Sequence, residues 1–334
     1  MTMTTAPIPS LANRVRPVAA GAPIVGVHFF GTTPVFVLGE QALLYAPEHG
    51  EHRVTIHDGA ILASVSDGTR IVTGGDDGRL VATDAAGEHR VIATDDKRRW
   101  IDHAALGPDG AVAWSAGKTA FVRTKNGELR TFEAPSTVAG LAFMPKGFRL
   151  AIAHYNGATL WFPNAAGASP ETFGWKGSHR GVTVSPDGKY LITTMQEPAL
   201  HGWRIADAKN MRMSGYSGRV GSLGWTASGD YLATSGAEQL ILWPFGGKDG
   251  PMGRQPTMLA QSKSRVLAVA CHPRQPVVAA GFSDGSVLLV RLDDGALIAA
   301  RQADQQQISA LGWNATGQIL AFGTEAGDAG VLAL

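Results

Sequence analysis

A short phrase recurs along the chain: a bulky apolar residue, a turn carrying glycine, then a run in which apolar residues alternate. "VSPDGKYLITT" starts at Val184, "LGPDGAVAWSA" at Leu106, "FMPKGFRLAIA" at Phe143, "WTASGDYLATS" at Trp225 and "WNATGQILAFG" at Trp313. Weaker copies start at Phe29, Val65 and Cys271. Successive starts lie 36, 41, 37, 41, 41, 46 and 42 residues apart. A repeat of this length cannot bury an apolar face by itself, so the units must pack against one another into a single repetitive core.

Each unit carries the same series of strands. A strand with apolar residues two apart leads in, such as Leu223 and Trp225, the period expected of a strand. The glycine turn follows, then a second strand such as "YLATSG" from Tyr231. A second tight turn comes next, "DDG" at Asp76, "NG" at Asn156 or "SDG" at Ser283. Asn-Gly and Asp-Gly are hairpin signals because these residues tolerate positive φ. The third strand, such as "VLLV" from Val287, is the most apolar, and a polar fourth, such as "HRVTIH" from His52, closes the unit. No window keeps the i, i+3, i+4, i+7 pattern of a helix without glycine or proline interrupting it. A parallel βαβ protein is thereby set aside.

With these residues in view, the repeat resembles the WD40 family, whose blades carry "SPDGxxLxSGSxDGxVxxW". The similarity runs from about Arg14 to Leu334. The terminal Trp-Asp of that pattern has become Trp161–Phe162, Trp203–Arg204 and Trp243–Pro244, and His57 and His179 are partial survivors of its Gly-His pair. The resemblance implies an all-β propeller of four-stranded antiparallel blades. Eight units predict eight blades, with seven the alternative if one divergent unit stands outside. The last unit ends at its third strand, "VLAL", while "RVRPVAA" (Arg14 to Ala20) has no partner of its own. The N-terminal segment is therefore expected as the outer strand of the last blade, where the missing N–H of Pro17 is tolerable. Residues 1–12 are expected as a flexible tail and 13–334 as a single domain.

Composition excludes several classes. Lys and Arg (29) nearly cancel Asp and Glu (28) over 334 residues, so nothing in the total charge draws the chain to nucleic acid or membrane. One cysteine, Cys271, rules out an internal disulfide framework and suits a reducing compartment. It stands at an anchor filled elsewhere by Phe, Val, Leu or Trp, and so is expected as a core hydrophobe. The N-terminus lacks the pattern of a signal peptide, and no uninterrupted apolar run is long enough to span a bilayer. A cytoplasmic protein is expected.

Chemistry-bearing residues are sparse. "HGEH" places His49 and His52 together, and His154 and His201 lie beside second-to-third strand turns near the expected channel mouth. These four are the metal candidates, but no zinc spacing such as H-E-x-x-H accompanies them. The acidic turns have no calcium-loop spacing, and no phosphate-loop, nucleophile-elbow or dinucleotide motif occurs. No catalytic residue and no cofactor is expected. The loops entering the first strands are more informative: "DDKRRW" with Lys97, Arg98, Arg99 and Trp100, "WKGSHR" with Trp175 and Arg180, "GYSGR" with Tyr216 and Arg219, and "SKSR" with Lys263 and Arg265, joined by Tyr155 in "HYNG". Arg, Trp and Tyr are enriched at binding hot spots. The reading is a non-catalytic, monomeric scaffold that binds a protein or peptide through these residues, alone or within a complex. The alternatives are an enzyme or metal protein using the histidines, and an RNA- or nucleotide-associated subunit using the basic loops.

Overall fold

The structure, a computed structural model, describes residues 8–165 and 167–334. Residues 1–7, most of the expected tail, lie outside it, as does Ala166. Within the rest of that tail, Pro9 and Leu11 exchange backbone hydrogen bonds with Ala299. Apart from two 3-10 turns at Ala12–Arg14 and Pro108–Gly110, the regular structure of the described residues is strand. The fold is an all-β propeller of antiparallel blades. Its strands belong to two compact units, one of His28–Val220 and one of Gly221–Leu334 with the chain up to Val27.

The recurring turn has one geometry and one reason for its glycine. Gly68, Gly110, Gly147, Gly188, Gly229 and Gly317 have φ of 83°, 75°, 74°, 75°, 74° and 78°. A Cβ there would crowd the backbone, so the position selects glycine. The residue after the anchor then ties the turn down. Ser185 Oγ accepts the backbone N–H groups of Lys189 and Tyr190, Thr226 Oγ1 that of Tyr231 and Asn314 Oδ1 that of Ile319. His272 Nδ1 does the same for Arg274 and Gln275 in a copy without glycine. Short polar side chains recur here because they satisfy turn donors that would otherwise be unpaired.

In the 28–220 unit, the first sheet takes up the chain in Ile24–Phe30 and ends at His52–Thr55; the next two span residues 61–94 and 103–133. Second strands form the core here: Ile71–Gly75, Val112–Ala116 and Tyr190–Met195 are buried at every residue. Val72, Leu80 and Ile101 pack on Val112 and Trp114, each aliphatic side chain contributing roughly 1.5–3 kcal/mol by leaving water. The fourth strands alternate or face water, as Leu129–Glu133 does. A strand covered on both faces reads as continuously apolar, whereas one at the edge does not.

The fourth sheet of this unit has six strands and corrects the expected count. Gly140–Phe143 pairs with Leu150–Ala153, residues 157–160 pair with 171–174, and Gly181–Val184 pairs with Leu191–Thr194. Within the strand Leu150–Trp161, Asn156 and Gly157 have φ of 67° and 145°, where the pairing with Glu171–Val184 shifts register between Tyr155 and Gly157. The strand Glu171–Val184 then runs unbroken from the outer edge of one repeat into the first strand of the next. Counted by hydrogen-bonded sheet among the described residues, the blades number seven, not the eight expected. No unit stands outside; the units anchored on Phe143 and Val184 share one sheet. "WKGSHR", expected as a loop, lies inside that strand.

The other unit holds sheets spanning residues 223–259 and 266–301, and a last sheet built from 308–333 and the N-terminal strand Val15–Ala19. That strand is antiparallel to Asp328–Ala333, with Val15 opposite Leu332 and Pro17 opposite Gly330. It occupies the outer edge, as the unpaired "RVRPVAA" required. The connection after Leu240–Pro244 carries no strand until Thr257, although Phe245 at its start is buried edge-on against Trp225, 4.8 Å away.

Candidate binding face

Two cavities of about 440 and 490 Å³ adjoin in the 28–220 unit, and Tyr155 lines both. The first also has Leu62, Trp100, Asp102, His103 and Arg180 in its wall; the second has Trp175, Lys176, Glu197 and Arg212. The strands beginning at Ile61, His103 and Glu171, and the residues 136–139 that lead into the strand Gly140–Phe143, supply much of the lining, and these strands pack against one another in succession. Trp100, Tyr155 and Trp175, at 64 %, 54 % and 36 % exposure, are the exposed aromatic residues of the described chain. All three line these cavities.

Each aromatic is held out by identifiable bonds. Asp95 accepts the backbone N–H groups of Lys97 and Arg99 and pairs with the Arg99 guanidinium at 2.7 Å. That bond to Arg99 is the chief reason its carboxyl lies below the usual range. Two residues on, Ile101 is fully buried and donates its N–H to the Gly75 carbonyl. Trp100, between these two anchors, projects outward. Tyr155 donates its N–H to Ser136 Oγ, and Asn156 Oδ1 accepts the N–H of Gly177. The Trp175 carbonyl accepts from His179 Nε2, and the Trp175 ring lies on the His201 imidazole, centroids 4.0 Å apart and 17° from parallel.

The histidines serve the fold beneath this face. His154 donates from Nδ1 to the Tyr155 carbonyl and accepts the Thr159 hydroxyl at Nε2. His201 is fully buried, edge-on to Trp203, with neither ring nitrogen hydrogen-bonded among the described residues. Burial, then His179 and Arg212, push its pKa down to about 4. His154 and His201 line neither of the two cavities. His52 stacks on Tyr45 at 4.6 Å, and His49 is exposed. Among the described residues no three His, Cys, Asp or Glu groups converge as a metal site. His57 is buried and bonds Asp77 at 3.1 Å and Thr73 at 2.9 Å. Burial pushes the Cys271 thiol up to about 12, and its Sγ donates to the Gly224 carbonyl.

The sequence-predicted contact residues divide. Trp100, Tyr155, Trp175 and Arg180 meet at the cavities, with Lys97 and Arg98 beside Trp100 in the chain. Arg99 is committed to Asp95. Tyr216 is buried, at 9 % exposure, and offers no anchor. Arg219 lines neither cavity, and Lys263 and Arg265 belong to the other unit. The sequence reading missed Leu62, His103, Glu197 and Arg212. Of these only the neighbourhood of Trp100 gave His103 a signal; the other three come from strands and turns far apart in the chain.

A family model described as the anaphase-promoting complex subunit 4 WD40 domain matches residues 260–333. No curated protein sequence matches the chain. Among solved structures, the crystal structure of the computationally designed Ika8 protein superposes with a TM-score of 0.77 at 16 % identity, covering 95 % of this chain and 98 % of that one. At such identity the likeness speaks for the fold alone. No helix of the described residues is long and apolar enough to cross a membrane.

Proposed function

We propose, for a chain that is a WD40-repeat β-propeller, that it works as a non-catalytic scaffold and docks a protein or peptide segment on the two cavities around Tyr155. Propellers of this kind generally act as interaction scaffolds. The observation that carries the reading is the convergence of Trp100, Tyr155 and Trp175 on one place. Exposed aromatics cost solvation, and a cluster of them beside cavities is the composition of a binding hot spot. Their supports are backbone hydrogen bonds and buried rings, so little entropy remains to be lost when a partner settles. Catalysis would need an acid, base or nucleophile presented to a ligand. His154 and His179 spend their ring nitrogens on carbonyl and hydroxyl groups of the blade, and no catalytic motif accompanies the Asp102, His103 and Glu197 that line the cavities.

The test is capture of partners from the source cell by the wild-type chain and by Trp100→Ala and Tyr155→Ala. Both side chains are largely exposed, so their loss should leave the melting temperature nearly unchanged. Capture should fall by a factor of ten or more if they are anchors, about 1.4 kcal/mol or more. Charge reversal at Arg99 is unsuitable, since it would break the loop through Asp95. Undiminished capture by both variants would refute the site.

A further inference from the structure

The two cavities differ in charge, and the difference selects a ligand; this rests on the reading that they are the docking site. In the first, one cation, Arg180, shares the wall with one acid, Asp102, and burial holds His103 toward its neutral form. Leu62, Trp100 and Tyr155 are exposed to an occupant there, beside Val138 and Ala139, with Ser136, Thr137, Ser178 and His179 as the uncharged polar part of the wall. In the second, Lys176 and Arg212 face one acid, Glu197, an excess of one positive charge. Neither cation is in an ion pair among the described residues, whereas Arg79, Arg99 and Arg204 of the same unit are each bonded to an aspartate.

We infer that the occupant is an acidic peptide segment, which seats an aliphatic or aromatic side chain against Trp100 and Tyr155 and a single carboxylate between Lys176 and Arg212. Cavities that share one tyrosine are neighbours, and same-face side chains of an extended segment lie two residues, about 7 Å, apart. The motif is therefore apolar, any residue, then Asp or Glu, or its reverse. A carboxylate cancels the excess charge of the second cavity. A phosphate, at about −1.5 to −2, overshoots it with Glu197 in the same wall. A duplex or strand of nucleic acid would bring a row of phosphates past Asp102 and Glu197 as well as the cations.

The experiment selects a random peptide library on the immobilised full-length chain and measures the enriched peptides by fluorescence anisotropy. The expected result is enrichment of an apolar residue two positions from Asp or Glu. Lys176→Glu with Arg212→Glu should weaken those peptides at least about tenfold. On reselection it should exchange the acidic residue for Lys or Arg while the apolar one persists. Trp100→Ala should do the converse, relaxing the apolar position and keeping the acidic one. Lys176→Gln with Arg212→Gln serves if the reversed pair does not fold, with loss of the acidic preference expected. Peptides that depend on Trp100 and Tyr155 but show no acidic preference would overturn the inference and leave the docking site standing. So would binding confined to phosphoserine peptides, or oligonucleotide binding that the same reversal abolishes. If no peptide depends on either aromatic, the docking site itself falls.

Discussion

Replacing the turn glycines by alanine separates backbone strain from steric fit, because the same φ recurs in different surroundings. Gly68 has φ 83°, and a β-carbon added there would meet nothing within 4 Å. Gly68→Ala meets only the left-handed penalty of about 1–2 kcal/mol, partly offset by about 0.4–1 kcal/mol from a less flexible unfolded chain. Gly188 has φ 75° and ordinary contacts with Pro145 Cγ at 3.4 Å and Met144 Cε at 3.7 Å, so Gly188→Ala should cost about as much. Gly317 has φ 78°, but a Cβ there runs into the His272 imidazole. That ring is buried, donates from Nε2 to the Gly317 carbonyl at 3.0 Å and receives two backbone N–H groups at Nδ1. Displacing it adds about 1–3 kcal/mol of overpacking and roughly 1 kcal/mol for each hydrogen bond lost. Gly317→Ala should therefore cost about 3–5 kcal/mol, several times the cost of the other two.

Urea unfolding followed by tryptophan fluorescence measures the three variants under one condition. A cycle with His272→Ala isolates the contact, since Gly317→Ala should cost about 2 kcal/mol less once the ring is gone. Equal costs for all three alanines, or no coupling between Gly317 and His272, would refute the idea that the turn keeps its geometry while its packing varies.

Three further outcomes follow from the same structure. Deleting residues 1–22 removes the strand Val15–Ala19 and leaves the edge of Asp328–Ala333 unpaired, so aggregation or a large fall in melting temperature is expected, and an unchanged melt would contradict the pairing. Shortening the stretch 247–255 should leave stability nearly unchanged, while Phe245→Ala, which empties a buried contact with Trp225, should cost about 3–5 kcal/mol in the same melt. Burial pushes the His201 pKa down to about 4 from the ordinary histidine value of 6.5, so the unfolded chain binds this proton first, and His201 should contribute up to about 1.4 kcal/mol per pH unit to the fall in stability between about pH 6.5 and pH 4. His201→Phe keeps a ring on Trp175 without the titration, and a pH–stability slope unchanged in that variant would exclude His201 as its source.

How much of this was legible in sequence depended on whether a residue's role is local. The turns were legible because their cause lies within a few residues: Gly188 must take positive φ, and Ser185 must hold the two N–H groups that follow. The N-terminal strand was legible by accounting, since a repeat ending at its third strand and an orphan "RVRPVAA" complete each other. The shared six-stranded sheet was not. Residues 171–184 are polar because one face of an outer strand meets water, and a polar stretch between two apolar runs has the pattern of a loop. The same ambiguity misplaced His201, whose neighbourhood read as a turn although its ring lies under Trp175.

The proposed binding face draws on only part of the residues that the sequence suggested, and the reason is physical. Exposure of an aromatic depends on what lies beneath it: Trp100 projects because Asp95 and Ile101 are both tied down, while Tyr216, in an equally polar loop, is buried. A basic residue contributes to binding only if no acid has already claimed it. Arg99 looked like part of "DDKRRW", yet the aspartate four residues before it takes the guanidinium and converts a contact residue into a loop support. Lys176 stood in the basic "WKGSHR" while Arg212 gave no cue in sequence, and that neither is in an ion pair among the described residues emerges only once the strands Glu171–Val184 and Lys209–Met213 are brought to the same cavity. Composition therefore locates candidate loops, and the partner's charge is decided by which cations the fold leaves unpaired.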